Sequence, residues 1–419
     1  MLTPLPALGA FRQDLGPALA TASPADARWL QVVTLLQSAA DVPAQARAGI
    51  LEVVADLADA DSTMDGARIP LPVTLRAELP PTIELALRSA IAMEDAARFQ
   101  LAYSSYDALL RVIVSQVPDA AARAEVQGVL LALQGRTARQ LGDGHAARER
   151  YTMAERLGRE RRDGAILARA WVGYGILAQI RGNMPEARKW FMQTLAERGA
   201  MRESLQVAHQ ALMVAAASAA DYTTAAEHGW AAYELAADHD DAAAALCDLS
   251  ELMRLSGRPT LALRGFSSAL LRSSAAHRRR LPALGGAALS AAEGLDRATA
   301  SGLVEQFRGE VETILSRTNL PFAEAGVLAD LGDAFAELGN AELAQAYRGR
   351  LVELAERFGF FELLYRATEG ARPVRSVDVP APGRRASLPK PMEGAQPVLD
   401  AMAGFTAPAP VEAALAAVG

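Results

Sequence analysis

The side chains of this 419-residue chain best suited to chemistry are five histidines, one cysteine and a scatter of arginines. His209 and His228 precede the acidic string Asp238-His239-Asp240-Asp241, so imidazole and carboxylate metal ligands occur in one stretch. The plainer reading, a partly buried histidine pair beside a solvated acidic loop, is the one adopted. His145 and His277 stand apart. Cys247 is the lone cysteine, which excludes an intrachain disulfide and a thiolate zinc cluster; as a nucleophile it would need a histidine at its side. No H-E-x-x-H and no G-x-x-x-x-G-K-[ST] occurs, and Gly173-Tyr174-Gly175 lacks the third glycine of a dinucleotide loop. No acid/base or nucleophile constellation remains, so no catalytic residue, metal or cofactor is expected. Arg136, Arg139 and Arg169 could hold an anionic group through charge-assisted hydrogen bonds, and the question becomes which elements would present them.

Those elements repeat. Gly135, Ala138, Gly142, Asp143, Ala147, Tyr151 and Ala154 are matched, 40 residues on, by Gly175, Ala178, Gly182, Asn183, Ala187, Phe191 and Thr194. Similar units begin near Ile83, Gly128, Ala168, Gln206, Ala243 and Ala325, with an eroded copy near Leu284. At the twentieth place stand Ala102, Ala147, Ala187, Ala225, Ala262 and Ala344. At the twenty-fourth stand Tyr106, Tyr151, Phe191 and Phe266, whereas Gly229 and Arg348 break the rule. The spacing predicts a helical hairpin in which a small eighth residue (Gly135, Gly175, Gly332) faces the alanine at the twentieth place, with the aromatic filling the space behind that contact. Gly142, Gly182, Gly257 and Gly339 suit a left-handed helix end. Asp143, Asn183, Asp221 and Asn340 follow as N-caps, and Pro185 and Pro259 fit a first turn.

These residues, and the string Asp221-Tyr222-Thr223-Thr224-Ala225 in particular, resemble the tetratricopeptide repeat over roughly residues 83–370. The resemblance implies an all-α, right-handed solenoid of stacked hairpins that binds another protein or peptide in its concave groove, as a non-catalytic scaffold or adaptor. By that resemblance the groove is lined by Arg136, Arg139, Gln140, Arg169, Val172, Ile176, Gln179, Gln210, Val214 and Arg254. It is a cationic and amide-bearing patch beside an apolar floor, suited to a peptide with apolar anchors and one anionic group. The Lys and Asn set of the carboxylate clamp is absent. The offsets here, 45, 40, 38 and 37, exceed the family's period of about 34. Periods near 40 are similar to those in the repeat regions of bacterial signal-sensing regulators, so a sensor or regulatory subunit of a transcription or signalling system is the alternative. An enzyme on a helical scaffold is a third reading, with no site behind it.

The remainder frames the array. Residues 1–22 carry no firm pattern. Residues 23–82 predict a helical pair, with stripes Trp29, Val32, Val33, Leu36 and Ile50, Val53, Val54, Leu57, followed by a Pro-rich connector. Residues 358–369 read as a closing helix, and 371–419 as a Pro- and Ala-rich disordered tail. The tail's apolar end, 411–418, is expected to fold back into the groove as a short helical turn. A net charge of −7 argues against direct nucleic-acid binding, because phosphates need a cationic excess. The basic runs at 159–162 and 277–280 are read as helix-end cations. No signal peptide or membrane span is legible, so a cytoplasmic protein is expected. The oligomeric state cannot be read.

Overall fold

The computed structural model describes residues 24–42, 44–59, 63–64, 67–68, 75, 78–95, 98–273, 277–316, 321–358, 360–368, 392 and 394–418. Among the described residues the chain is all-helical apart from a two-residue antiparallel ladder, β1 (Thr63–Met64) on β2 (Ala67–Arg68). It divides into two compact units, Met1–Arg161 and Arg162–Gly419. The division falls inside the expected repeat array, between two of its hairpins.

The first unit holds α1 (Pro24–Asp41), α2 (Ala44–Asp59), α3 (Pro81–Asp95), α4 (Phe99–Gln116), α5 (Ala120–Gln140) and α6 (Gly144–Arg161). Helix α1 packs on α2 and α4, and each later helix packs on its predecessor, so the N-terminal pair shares one apolar core with the first hairpin. The stripe Trp29, Val32, Val33 and Leu36 is buried as expected. On α2 the stripe is corrected: Val53 is 48% exposed, while Leu51, one turn before Val54 and Ala55, is buried beside Val54.

The second unit continues in hairpins: α7 (Gly164–Ile180) with α8 (Met184–Ala196), α9 (Arg202–Ser218) with α10 (Tyr222–Glu234), α11 (His239–Leu255) with α12 (Pro259–Arg272), α13 (His277–Gly294) with α14 (Arg297–Leu315), and α15 (Pro321–Glu337) with α16 (Ala341–Phe358). The eroded copy near Leu284 is the fourth of these. Successive first helices touch one another: α7 on α9, α9 on α11, α11 on α13, α13 on α15. The closing helix is shorter than expected: α17 spans Phe361–Ala367 and packs on α15 and α16, with Phe361 and Tyr365 exposed.

The turns follow the sequence closely. Gly142, Gly182, Gly257 and Gly339 all take positive φ, and each is followed by a residue whose N–H returns to a carbonyl five residues back, as in Asn183 N–H to Ala178 at 2.9 Å. That is the Schellman closure, which satisfies carbonyls the helix leaves over. The α9–α10 turn makes the same bond, Asp221 N–H to Ala216 at 2.9 Å, with an alanine, Ala220, at φ 60°. Asp143, Asn183, Asp221 and Asn340 accept the expected capping N–H bonds.

The packing inside the hairpins differs from the expectation in one respect. At Gly135 and Gly175 the nearest neighbour of the eighth place is the aromatic ring at the twenty-fourth, whereas a Cβ on Gly332 would stand 3.4 Å from Arg348 Cγ and 3.7 Å from the Ala344 carbonyl. A Cβ on Gly135 would overlap Tyr151, and one on Gly175 would overlap Phe191. The alanines Ala147, Ala187, Ala225, Ala262 and Ala344 are nonetheless all buried, which lets the backbones approach. In the α9–α10 hairpin the sizes are reversed: Met213 holds the eighth place and Gly229 the twenty-fourth, and a Cβ on Gly229 would lie 2.8 Å from the Met213 sulfur.

The expected disordered tail is corrected at its end. Residues 396–403 and 409–416 form α18 (Gln396–Ala403) and α19 (Ala409–Ala416), which pack on the second helices α10, α12 and α14. The predicted return of 411–418 therefore occurs, but onto second helices and not among the first helices of the expected groove. Residues 1–22 and 371–391 lie outside the described residues.

Candidate functional site

The residues assigned to the groove lie on first helices in both units. On α5, Arg136 and Arg139 are half-buried and Gln140 is exposed. Arg136 is held by Glu94 of α3 in a two-pronged pair, Nε to Oε1 at 2.6 Å and Nη2 to Oε2 at 2.9 Å. Glu94 also accepts the Tyr106 hydroxyl at 3.0 Å. Arg139 lies against the Tyr151 phenol; burial raises that phenol's pKa, and the guanidinium pulls it part of the way back. The Arg136 charge is thus met inside the unit, in the fork geometry that suits a carboxylate best.

On the second unit the same pattern runs from helix to helix. Arg169 of α7 is 6% exposed, with Nη2 3.7 Å from Glu203 of α9. Gln210 of α9 donates to Asp248 of α11 at 2.9 Å. Burial pushes the Asp248 carboxyl up to about 6; the Gln210 hydrogen bond opposes the shift and the Glu251 charge adds to it. Arg254 of α11 reaches Glu251 at 2.8 Å and Glu293 of α13 at 2.9 Å. Burial alone would lower the Arg254 pKa, but the surrounding Glu251, Glu293 and Asp330 carboxylates raise it. At the end of the row Arg366 of α17 bonds Asp330 at 2.8 Å and Asp333 at 2.9 Å, both on α15. These links fix one first helix against the next, and breaking one would leave a buried charge without its partner.

What these pairs leave outward is mostly apolar and amide. Ile180, Val214 and Leu255, at the ninth or thirteenth place of three successive first helices, are 62%, 44% and 48% exposed. Those places are one turn apart and share a helix face. Val172, Ile176 and Gln179 are half-buried on the same α7 helix, and Gln210 is half-buried on α9.

His209 and His228 do meet, across the α9–α10 hairpin, with Nδ1 atoms 2.9 Å apart. Burial lowers both pKa values, and His228 acts further on His209; across the contact one ring nitrogen donates and the other accepts. Asp238 caps α11 by accepting from Asp241 N–H at 2.8 Å. Among the described residues no three His, Cys, Asp or Glu side chains converge as a metal site. Cys247 is buried on α11. No described helix is long and apolar enough to cross a membrane.

No family model matches the chain, and no curated protein matches it. The likeness to the tetratricopeptide repeat therefore rests on the repeat's own residues.

The carboxylates Glu203, Asp248 and Glu293 were missed as elements of the first-helix face of the second unit, and Glu94 was missed as the partner of Arg136 in the first. Their signal was present in the sequence as partners one repeat apart: Glu94 and Arg136 are separated by 42 residues, Gln210 and Asp248 by 38, Arg254 and Glu293 by 39. Reading each unit alone hides such pairs; reading places across units exposes them.

Proposed function

We propose that the protein is a non-catalytic scaffold or adaptor, a tetratricopeptide-like solenoid that binds another protein or peptide on the face of its first helices. The observation that carries this reading is the row Ile180, Val214 and Leu255. Apolar side chains this exposed on consecutive helices need a partner to leave water, at about 25 cal/mol for each Å² covered. Gln179 and Gln210 supply amide groups beside them, a composition suited to an extended or helical peptide with apolar anchors. Arg169 and Arg254, already engaged by internal carboxylates, contribute by holding the face rigid, which lowers the ordering cost of binding.

The test is the triple variant Ile180→Asp, Val214→Asp, Leu255→Asp, used as bait in affinity purification from the native host beside the wild-type chain. The variant is expected to keep its helical circular dichroism and to lose its main co-purifying proteins. An unchanged partner list would end the proposal. Charge reversal at Arg136 or Arg169 would be a poorer test, because it would leave Glu94 or Glu203 facing like charge within the fold.

A further inference from the structure

The C-terminal helices sit in a seat built almost entirely from side chains of α10 and α12. Met402 is fully buried, and its Cε lies 2.9 Å from where a Cβ on Gly265 would stand. The Phe405 ring lies 5.6 Å from Tyr233 and 6.3 Å from Trp230, centroid to centroid, and the Arg272 guanidinium covers it at 4.9 Å. Arg264 donates both to the Phe405 carbonyl, at 3.0 Å, and to Glu412, at 2.9 Å. Glu412 also accepts the Ala407 N–H at 2.9 Å, closing the turn between α18 and α19.

The two sides of this contact are unequal. The array side has supports of its own: Trp230 and Tyr233 pack on each other at 5.1 Å, and the Trp230 indole N–H bonds Glu234 at 2.8 Å. The tail side consists of two eight-residue helices, and isolated helices shorter than about 12–15 residues are marginal in water. The tail therefore takes its form by docking. The 23 residues between Thr368 and Met392 join it covalently to the body, and a short tether presents such a ligand at about millimolar effective concentration.

We propose that this seat is a second peptide-docking site, with the chain's own C-terminus as built-in competitor. Its external ligand is a short helix–turn–helix segment of another protein that places a methionine at the end of the first helix, an aromatic three residues on in the turn, and a carboxylate seven residues beyond in the second helix. Such a ligand gains the Gly265 recess, the Trp230–Tyr233–Arg272 cage and the Arg264 charge by displacing residues 392–418. The site lies on second helices and stands independently of the first-helix face.

The test uses the full-length chain and a fluorescent peptide of residues 392–418. The double variant Phe405→Ala, Glu412→Ala, whose own tail is loosened, is expected to bind the peptide at least about tenfold more tightly than the wild-type chain. Adding Arg264→Ala should remove that binding. In hydrogen exchange of the wild-type chain, amides of α18 and α19 should exchange at least about a hundredfold faster than those of α12 beneath them. Equal peptide affinity in wild type and double variant, or tail amides that exchange together with α12, would overturn the proposal by making the tail a permanent part of the core. Should the double variant fail to fold, the wild-type exchange measurement decides. A wild-type dimer that the double variant dissolves would assign the seat to a second copy's tail and end the foreign-partner reading.

Discussion

The α7–α8 and α9–α10 hairpins solve one packing problem from opposite sides. In α7–α8 the first helix gives way: Gly175 leaves a flat place and the fully buried Phe191 ring covers it. In α9–α10 the first helix supplies the bulk as Met213, and Gly229 on the second helix gives way to it and to Leu249. The combined volume at the junction is specified, and either helix can provide it. Cores generally tolerate redistribution of volume better than its gain or loss.

The largest effect expected from breaking this comparison is at Phe191. Phe191→Ala should cost about 3–5 kcal/mol, the range for truncating a buried aromatic. Gly175→Ala should cost about 1–3 kcal/mol through overpacking against that ring. Gly229→Ala should cost less than Gly175→Ala, because its neighbours are the ends of flexible Leu249 and Met213 chains. Gly332→Ala, whose added Cβ meets the Arg348 Cγ at 3.4 Å, should be nearly neutral. Urea denaturation of the four variants checks the order, and an equal cost at Gly175 and Gly332 would refute the ring-on-glycine account. The sharper experiment transplants one solution into the other hairpin. Gly175→Met with Phe191→Gly should be more stable than the sum of its single changes predicts, a favourable coupling measurable in a double-mutant cycle.

A smaller effect is expected at the turns. Ala220 adopts φ 60° where its counterpart Gly182 has φ 74°. A non-glycine residue in this region costs about 1–2 kcal/mol, offset in part by the greater freedom glycine has when unfolded. Ala220→Gly should therefore stabilise by about 0.5–1 kcal/mol, while Gly182→Ala should destabilise. Thermal melts of both variants would show opposite shifts; shifts of the same sign would contradict the turn assignment.

A further effect depends on pH. Asp248, facing Gln210 from the next hairpin, has its carboxyl pushed by burial from the ordinary 3.8 up to about 6. The folded state thus holds the proton more tightly than the unfolded state. This group's contribution to stability falls as pH rises from about 4 to about 6, and the penalty is complete above that window. Asp248→Asn keeps an acceptor for Gln210 and removes the charge, so it should raise Tm at pH 8 and leave it nearly unchanged at pH 4. A variant less stable than wild type at pH 8 would show that the carboxylate is stabilising.

Much of this was legible in the chain. The period located each hairpin, including the eroded one, because a helix needs apolar or small residues where it touches its neighbours wherever it stands. Turn glycines and their capping Asp or Asn residues marked helix ends to within a residue or two, since left-handed backbone and unpaired N–H groups are local demands. The candidate face was half legible: Val214 was named for the groove and proved exposed, Leeu255 was not named, and Arg136, Arg169 and Arg254 proved to be paired with acids one repeat away. The end of the tail, residues 396–416, was misread because its composition is that of a segment without a core, and only the array's second helices give it one.

The amino-acid sequence by itself determined the all-helical class, the hairpin unit, its turns and the small residues that allow close packing, all set by interactions within about one repeat. Tertiary structure alone decided which of two facing residues supplies the bulk, which arginines are neutralised by a neighbouring hairpin, and where the C-terminus docks. The first depends on partners 16 positions apart, as Gly175 and Phe191, and the others on partners 34–148 positions apart, and none leaves a local signature because each partner, taken alone, is compatible with either water or the interior.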